Sequence, residues 1–291
     1  MKLKEKLIEL LLQLFTSVTI FTTIGIIVVL LFESISFFSN VSIIEFFTST
    51  KWTPLFSEKH FGILALASGT ILTSLIAIGI ALPVGLTIAI YLNMYASKSF
   101  RKLIKPFLEI LAAIPTVVYG FFALAFVTPV LQEIYPNLET FNSLSAGIVM
   151  GIMIIPFISS LSEDALYAVP KSLKEAAFGM GSTRFQTAFK VMVPAASSGI
   201  VISVILAISR AIGETMIVAI AAGQQPQFTL NPTIPVQTIT SYIVQVSMGD
   251  APQGSLEYQT IFAAGLTLFV FTFLLNSFSF YVKKKYQEKY E

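Results

Sequence analysis

Apolar residues occupy this chain in long blocks, parted by short polar stretches and by one polar stretch that is not short. A helix needs about 20 mainly apolar residues to cross a bilayer. Six blocks meet that length, at 14–32, 63–92, 104–131, 144–161, 195–222 and 260–282. The pattern predicts an all-α integral membrane protein with six transmembrane helices, residues 1–291 forming a single domain. The first block follows a lysine-rich start. It is too long for a signal peptide and has no small-x-small cleavage pattern behind it, so it reads as an anchor kept in the mature chain.

The exception is the polar stretch 162–193. Connections between packed elements are mostly about 2–6 residues long, and this one holds two short helix patterns broken at Gly179-Met180-Gly181. Val169-Pro170 places proline where a first helical turn tolerates it, while Ser172 to Glu175 fits a capping box, so the first helix starts at one or the other. Glycine then permits a turn that other residues resist, and Thr183 to Gln186 opens a second helix leading to Pro194. Leu173, Ala177 and Phe178 cannot all be buried by so short a helix alone. The stretch is expected to form a knob that another surface covers.

Composition identifies the solvent. Hydrophobic residues make up 55% of the chain, charged ones 12%, and the mean hydropathy is +0.81. Soluble domains carry roughly 25% charged residues, so lipid must face much of this surface. Lysine and arginine placement sets the orientation. Fifteen of the 18 flank one set of connections: Lys2, Lys4 and Lys6; Lys98, Arg101, Lys102 and Lys105; Lys171, Lys174, Arg184 and Lys190; Lys283, Lys284, Lys285 and Lys289. The opposite set holds Lys51 and Lys59. Both termini and the knob at 162–193 are therefore expected in the cytoplasm, with 37–62, 132–143 and 223–258 outside. In the last of these, Val236, Ile239, Ile243 and Val246 recur at helical spacing, which predicts a short helix lying at the outer surface or dipping into it.

Chemistry is limited. With no cysteine, and His60 as the one histidine, disulfides, thiolate or His-rich metal sites and a His-based triad are excluded. No phosphate-binding G-x-x-x-x-G-K-[ST] loop occurs, so the chain is expected to be no enzyme and to bind no cofactor. Any ATP and magnesium would be used by another chain. Nothing points to nucleic acid.

Two charges interrupt the fifth block, Arg210 and Glu214, four residues apart and so on one face if the helix is continuous. Arg210 lies about 16 residues past Pro194, roughly 24 Å along a helix, near the bilayer middle. An arginine there costs on the order of 2.5–3.5 kcal/mol, which usually marks a pathway or partner. A guanidinium offers a planar fork of donors suited to a tetrahedral oxyanion, and a carboxylate beside it would weaken binding and accept a protonated oxygen. A purely structural pair is the competing explanation. Ile114-Pro115-Thr116 and Ile155-Pro156 interrupt the third and fourth blocks as hinges or kinks, and Gly147-x-x-x-Gly151 allows close helix approach.

Glu175-Ala176-Ala177, Gly181, Val191 and Val193-Pro194 stand at the spacing of the EAA loop and resemble that of ABC-importer membrane subunits, with valine at two usual isoleucine or leucine positions. The string from Arg210 through Gly213, Glu214 and Thr215 to Met216, with Phe61-Gly62-Ile63-Leu64, Gly69-Thr70 and the run from Ile114 to Phe122, resembles the PstC-type permeases of phosphate importers. The resemblance implies a type I ABC importer permease fold in a bacterial or archaeal cytoplasmic membrane. Leu173, Glu175, Ala176, Ala177, Phe178 and Gly181 would dock on an ATPase, and Arg210 and Glu214 would line the substrate path. Partners would be a PstA-like second permease, two PstB-like ATPases and a PstS-like binding protein. Import against an inside-negative potential costs about 2.3 kcal/mol per charge per 100 mV, which motivates an external energy source. Other expectations remain open: a sulfate or molybdate permease, or a self-sufficient transporter or channel.

Overall fold

The computed structural model describes residues 2–286, with side chains from 5 to 282. Lys289, and the side chains of Lys2, Lys4, Lys283, Lys284 and Lys285 used in the orientation argument, lie outside the described residues. The described chain is helical apart from its turns, its irregular connections and one antiparallel bridge, Trp52 to Phe61. In order the helices are α1 (Lys2–Asn40), α2 (Ile43–Thr48), α3 (Leu64–Met94), α4 (Lys98–Ala113), α5 (Thr116–Ile134), α6 (Ser143–Ala168), α7 (Lys171–Gly179), α8 (Arg184–Ala195), α9 (Ser197–Ile212), α10 (Met216–Ala221), α11 (Ile239–Ser247) and α12 (Leu256–Tyr286). Helices α1, α3, α5, α6 and α12 are long and apolar enough to cross a membrane. Helices α8 and α9, bent by 73°, make a sixth crossing if taken as one broken span.

Two expected spans are divided. The block 104–131 contains the end of α4 and most of α5, separated at Ile114 and Pro115, whose backbones are extended (ψ 129° and 136°). Proline pushes its predecessor out of the helical region, and α4 has no buried residue to resist that. Its charges Lys98, Arg101, Lys105 and Glu109 fall on one stripe at helical spacing, so α4 is amphipathic rather than a membrane span. Tyr119 braces the break by donating from its hydroxyl to the Leu111 carbonyl at 2.8 Å. The block 195–222 is divided too, into α9 and α10. Pro156, by contrast, sits buried inside a continuous α6.

The centre of the bundle is the α3–α6 pair. A Cβ on Gly147 would lie 2.7 Å from the Ile76 Cβ, and one on Gly151 would lie 2.8 Å from the Ala77 carbonyl oxygen. The small residues let the two backbones approach, the usual basis of helix association in lipid. Ala77, Ala81, Met150, Met153 and Ile154 fill the contact, and α5, α9 and α10 close around it. A second cluster lies at one end, where Phe37, Phe46, Trp52, Phe61 and Tyr242 meet edge to face. The short outer helix expected there is α11, capped by Thr238 and Ser241 and sunk onto α3, where the Ile239 N–H donates to Thr70 Oγ1 at 3.0 Å. At the other end Ile90, Met94, Leu166, Ala188 and Met192 make a seat for α7. Helix α1 lies along α12, with Gln259 Nε2 donating to Ser36 Oγ at 2.8 Å. The rest of its apolar surface is bare, Phe21 and Phe32 being more than two-thirds exposed.

Candidate functional site

A cleft of about 210 Å³ opens between α4, α6 and α9. Since a water molecule occupies about 30 Å³ of liquid, it has room for a small tetrahedral anion with some of its hydration. Helix α4 supplies Lys105, Leu108, Glu109 and Ala112. Helix α6 supplies Met153, Pro156, Phe157, Ser160 and Glu163, and α9 supplies Arg210. Arg210 stands in the last turn of α9, its guanidinium 5.7 Å from the Phe157 ring centre, in the middle of the 26-residue α6. A cation over a ring face is held without a carboxylate. Among the described residues Arg210 makes no ion pair, which leaves its donors available to the cleft.

Glu214 is placed elsewhere. The i, i+4 face requires a continuous helix, and α9 ends at Ile212 with Gly213 as its cap. Glu214, only 9% exposed, turns onto the start of α10, where its Oε1 accepts from the N–H groups of Met216 (3.1 Å) and Ile217 (3.3 Å). A carboxylate is favoured there by the orphan donors and the positive end of the helix. The Glu214 carbonyl in turn accepts from Thr240 Oγ1 at 2.7 Å, which ties the break to α11. Arg210 and Glu214 thus bracket one break without facing one cavity.

The cleft brings in residues that the sequence reading did not join to Arg210. Glu163 is 1% exposed, pairs with Arg101, and has its Oε2 2.9 Å from Lys105 Nζ. The polar stripe of α4 was readable from its spacing. Its partner Glu163, about 60 residues on, was not.

The knob at 162–193 forms as two short helices. Helix α7 starts at Lys171 behind Pro170, without a side-chain cap from Ser172. It ends in a turn where Gly181 takes φ +80° and the Ser182 N–H donates to the Ala177 carbonyl at 3.1 Å. Thr183 and Gln186 cap α8 reciprocally at 3.0 and 3.2 Å. Leu173 is half-buried against the bundle and Ala177 is half-buried, whereas Glu175, Ala176, Phe178 and Gly181 are exposed. Met180, 87% exposed, and Phe185 extend that apolar surface.

A family model described as the binding-protein-dependent transport system inner membrane component matches residues 81–288, which include the knob and the whole cleft. The chain belongs to this family. A probable ABC transporter permease protein, YqgH of Bacillus subtilis, is 37% identical over 237 residues, covering 81% of this chain and 76% of the relative. The phosphate transport system permease protein PstC of Mesorhizobium japonicum is 36% identical over 257 residues, covering 82% and 77%. Its probable counterpart in Methanocaldococcus jannaschii is 31% identical over 248 residues, covering 80% and 78%. Among solved structures, a bacterial alginate ABC transporter in complex with its alginate pentasaccharide-bound periplasmic protein matches with a TM-score of 0.65 at 19% identity, over 95% of this chain and 94% of that one. The inward-facing MetNI methionine ABC transporter matches with a TM-score of 0.55 at 19% identity, over 76% and 94%. The fold is that of ABC importer permeases, and this permease is a multi-pass protein of the cytoplasmic membrane. Its family implies ATPase chains and a binding protein as partners.

Proposed function

We propose that the permease is one membrane subunit of an ATP-driven phosphate importer. It would receive phosphate from an extracytoplasmic binding protein and pass it inward by alternating access. The observation that carries the reading is Arg210, without an ion pair among the described residues and facing a cleft at the middle of α6, in a chain whose relatives include PstC proteins. Its planar donors suit a tetrahedral oxyanion. Glu109 offsets its charge, so the anion is held only transiently. With the Glu214 carboxylate engaged by α10, Glu109 is the cleft carboxylate that makes no ion pair among the described residues, and it takes the part of acceptor for a protonated phosphate oxygen. Glu214 shapes the path by fixing the break behind Arg210.

The knob is the coupling element and faces the cytoplasm. Glu175, Ala176, Phe178 and Gly181 meet an ATPase of the PstB kind, while Leu173 anchors α7 to the bundle and the half-buried Ala177 shares its face. A PstA-like subunit completes the membrane core, a PstS-like protein delivers phosphate, and ATP with magnesium is used on the ATPase chains, leaving this chain without catalysis or cofactor. Uptake of [32P]phosphate by cells dependent on this system tests the reading. Arg210→Ala should abolish uptake while the complex still assembles. Undiminished uptake would remove Arg210 from the path, and competition by sulfate as strong as by phosphate would reassign the substrate.

A further inference from the structure

Glu163 is almost wholly withdrawn from solvent yet carries two cations, Arg101 and Lys105, both from α4. Lys105 and Glu163 also line the cleft that holds Arg210. On α4 the lining residues Lys105, Leu108 and Ala112 recur at helical spacing, as do Pro156, Ser160 and Glu163 on α6. The cleft is therefore a groove between two helices, and the ion cluster closes the end nearest the knob. Glu163 lies five residues before the end of α6, and α7 begins at Lys171 just beyond.

We propose that the Arg101–Glu163–Lys105 cluster is the inner gate of the path, in which an oxyanion leaving Arg210 takes Lys105 over from Glu163 and the groove then opens toward the knob. The proposal rests on the phosphate-importer reading and adds a second anion contact to it. A buried carboxylate stripped of its partner is strongly disfavoured, so a single ion pair there would not part easily. Two cations on one carboxylate allow an exchange. Arg101, its guanidinium also 5.1 Å from the Tyr167 ring centre, keeps Glu163 compensated while Lys105 departs. The two side chains suit these roles, a planar fork for the fixed contact and a compact charge on a flexible stem for the mobile one. Motion of α7 reaches the cluster through the last turn of α6.

The test uses the complete importer, in cells preloaded with [32P]phosphate and as purified complex in liposomes. Glu163→Gln should unlatch the gate, raising both phosphate efflux and ATP hydrolysis without binding protein by several-fold. Lys105→Gln should lower uptake by roughly tenfold, the scale of one lost charge-assisted contact, with normal assembly and partial rescue by Lys105→Arg. A Glu163→Gln importer that assembles normally, holds phosphate and hydrolyses ATP as the wild type does would overturn the gate. So would wild-type uptake by Lys105→Gln. If Glu163→Gln fails to assemble, Glu163→Asp, which keeps the charge but is too short to reach both cations, is measured in the same way: leak supports the gate and tightness overturns it. Failure of the wild type to import phosphate would sink the functional reading itself, whereas phosphate import with silent variants would sink the gate alone.

Discussion

Replacing Glu214 by alanine and by glutamine separates a helix cap from an ion pair. Its Oε1 serves two backbone donors, the N–H groups of Met216 and Ile217 at 3.1 and 3.3 Å, from a side chain only 9% exposed. Alanine leaves both donors unmet, at about 1–3 kcal/mol for each buried orphan. The bonds are long, so the expected loss is near the lower end, about 2–3 kcal/mol in all. Glutamine keeps an acceptor oxygen and gives up only the charge at the start of α10, about 0.3–1 kcal/mol. Reversible unfolding in SDS measures both. Combining each with Arg210→Ala closes a double-mutant cycle, and residues without a shared contact add within about 0.3–0.5 kcal/mol. If glutamine proved as damaging as alanine, or the Arg210–Glu214 coupling exceeded about 1 kcal/mol, the capping role would be wrong and a direct pair would have to replace it.

Three further outcomes follow from the geometry. Gly151→Val would force a side chain against the Ala77 carbonyl oxygen, which a Cβ alone would approach to 2.8 Å; overpacking of about 1–3 kcal/mol should show as reduced folded yield, and a normal yield would mean that α3 and α6 separate freely. Gly181→Ala meets no neighbour but must hold φ +80°, at about 1–2 kcal/mol; the bundle should insert normally while co-purification of the ATPase falls, and unchanged co-purification would count against the knob as docking element. Thr240→Val removes the donor to the Glu214 carbonyl and should cost about 1 kcal/mol in the same SDS titration, whereas a neutral result would detach α11 from the break.

Much of the architecture was legible because lipid demands long apolar runs. The blocks that became α3, α6 and α12 needed no more than their length, and the Gly147/Gly151 spacing pointed to the contact it makes. What escaped were local interruptions. Hydropathy over 104–131 stays high across Pro115, so an amphipathic helix and a membrane span merged into one block. Arg210 and Glu214 read as a pair because four residues put them on one helical face, an inference that Gly213 cancels by ending the helix between them. Glu163 was passed over for another reason. Its burial depends on Arg101 and Lys105, about 60 residues earlier, and no spacing rule brings those together.

The pairing of α1 with α12 has a consequence for how the protein is made. Roughly 200 residues separate the end of the first helix from the start of its main neighbour. At about 5–20 residues per second of synthesis, the first helix waits some 10–40 s before that neighbour emerges from the ribosome. It must enter the bilayer unaided, which a mean hydropathy of 2.4 over an 18-residue stretch of the helix permits. A chain stopped ahead of Leu256 should therefore still anchor, with its opening helix bare to lipid and open to capture by the membrane quality-control machinery.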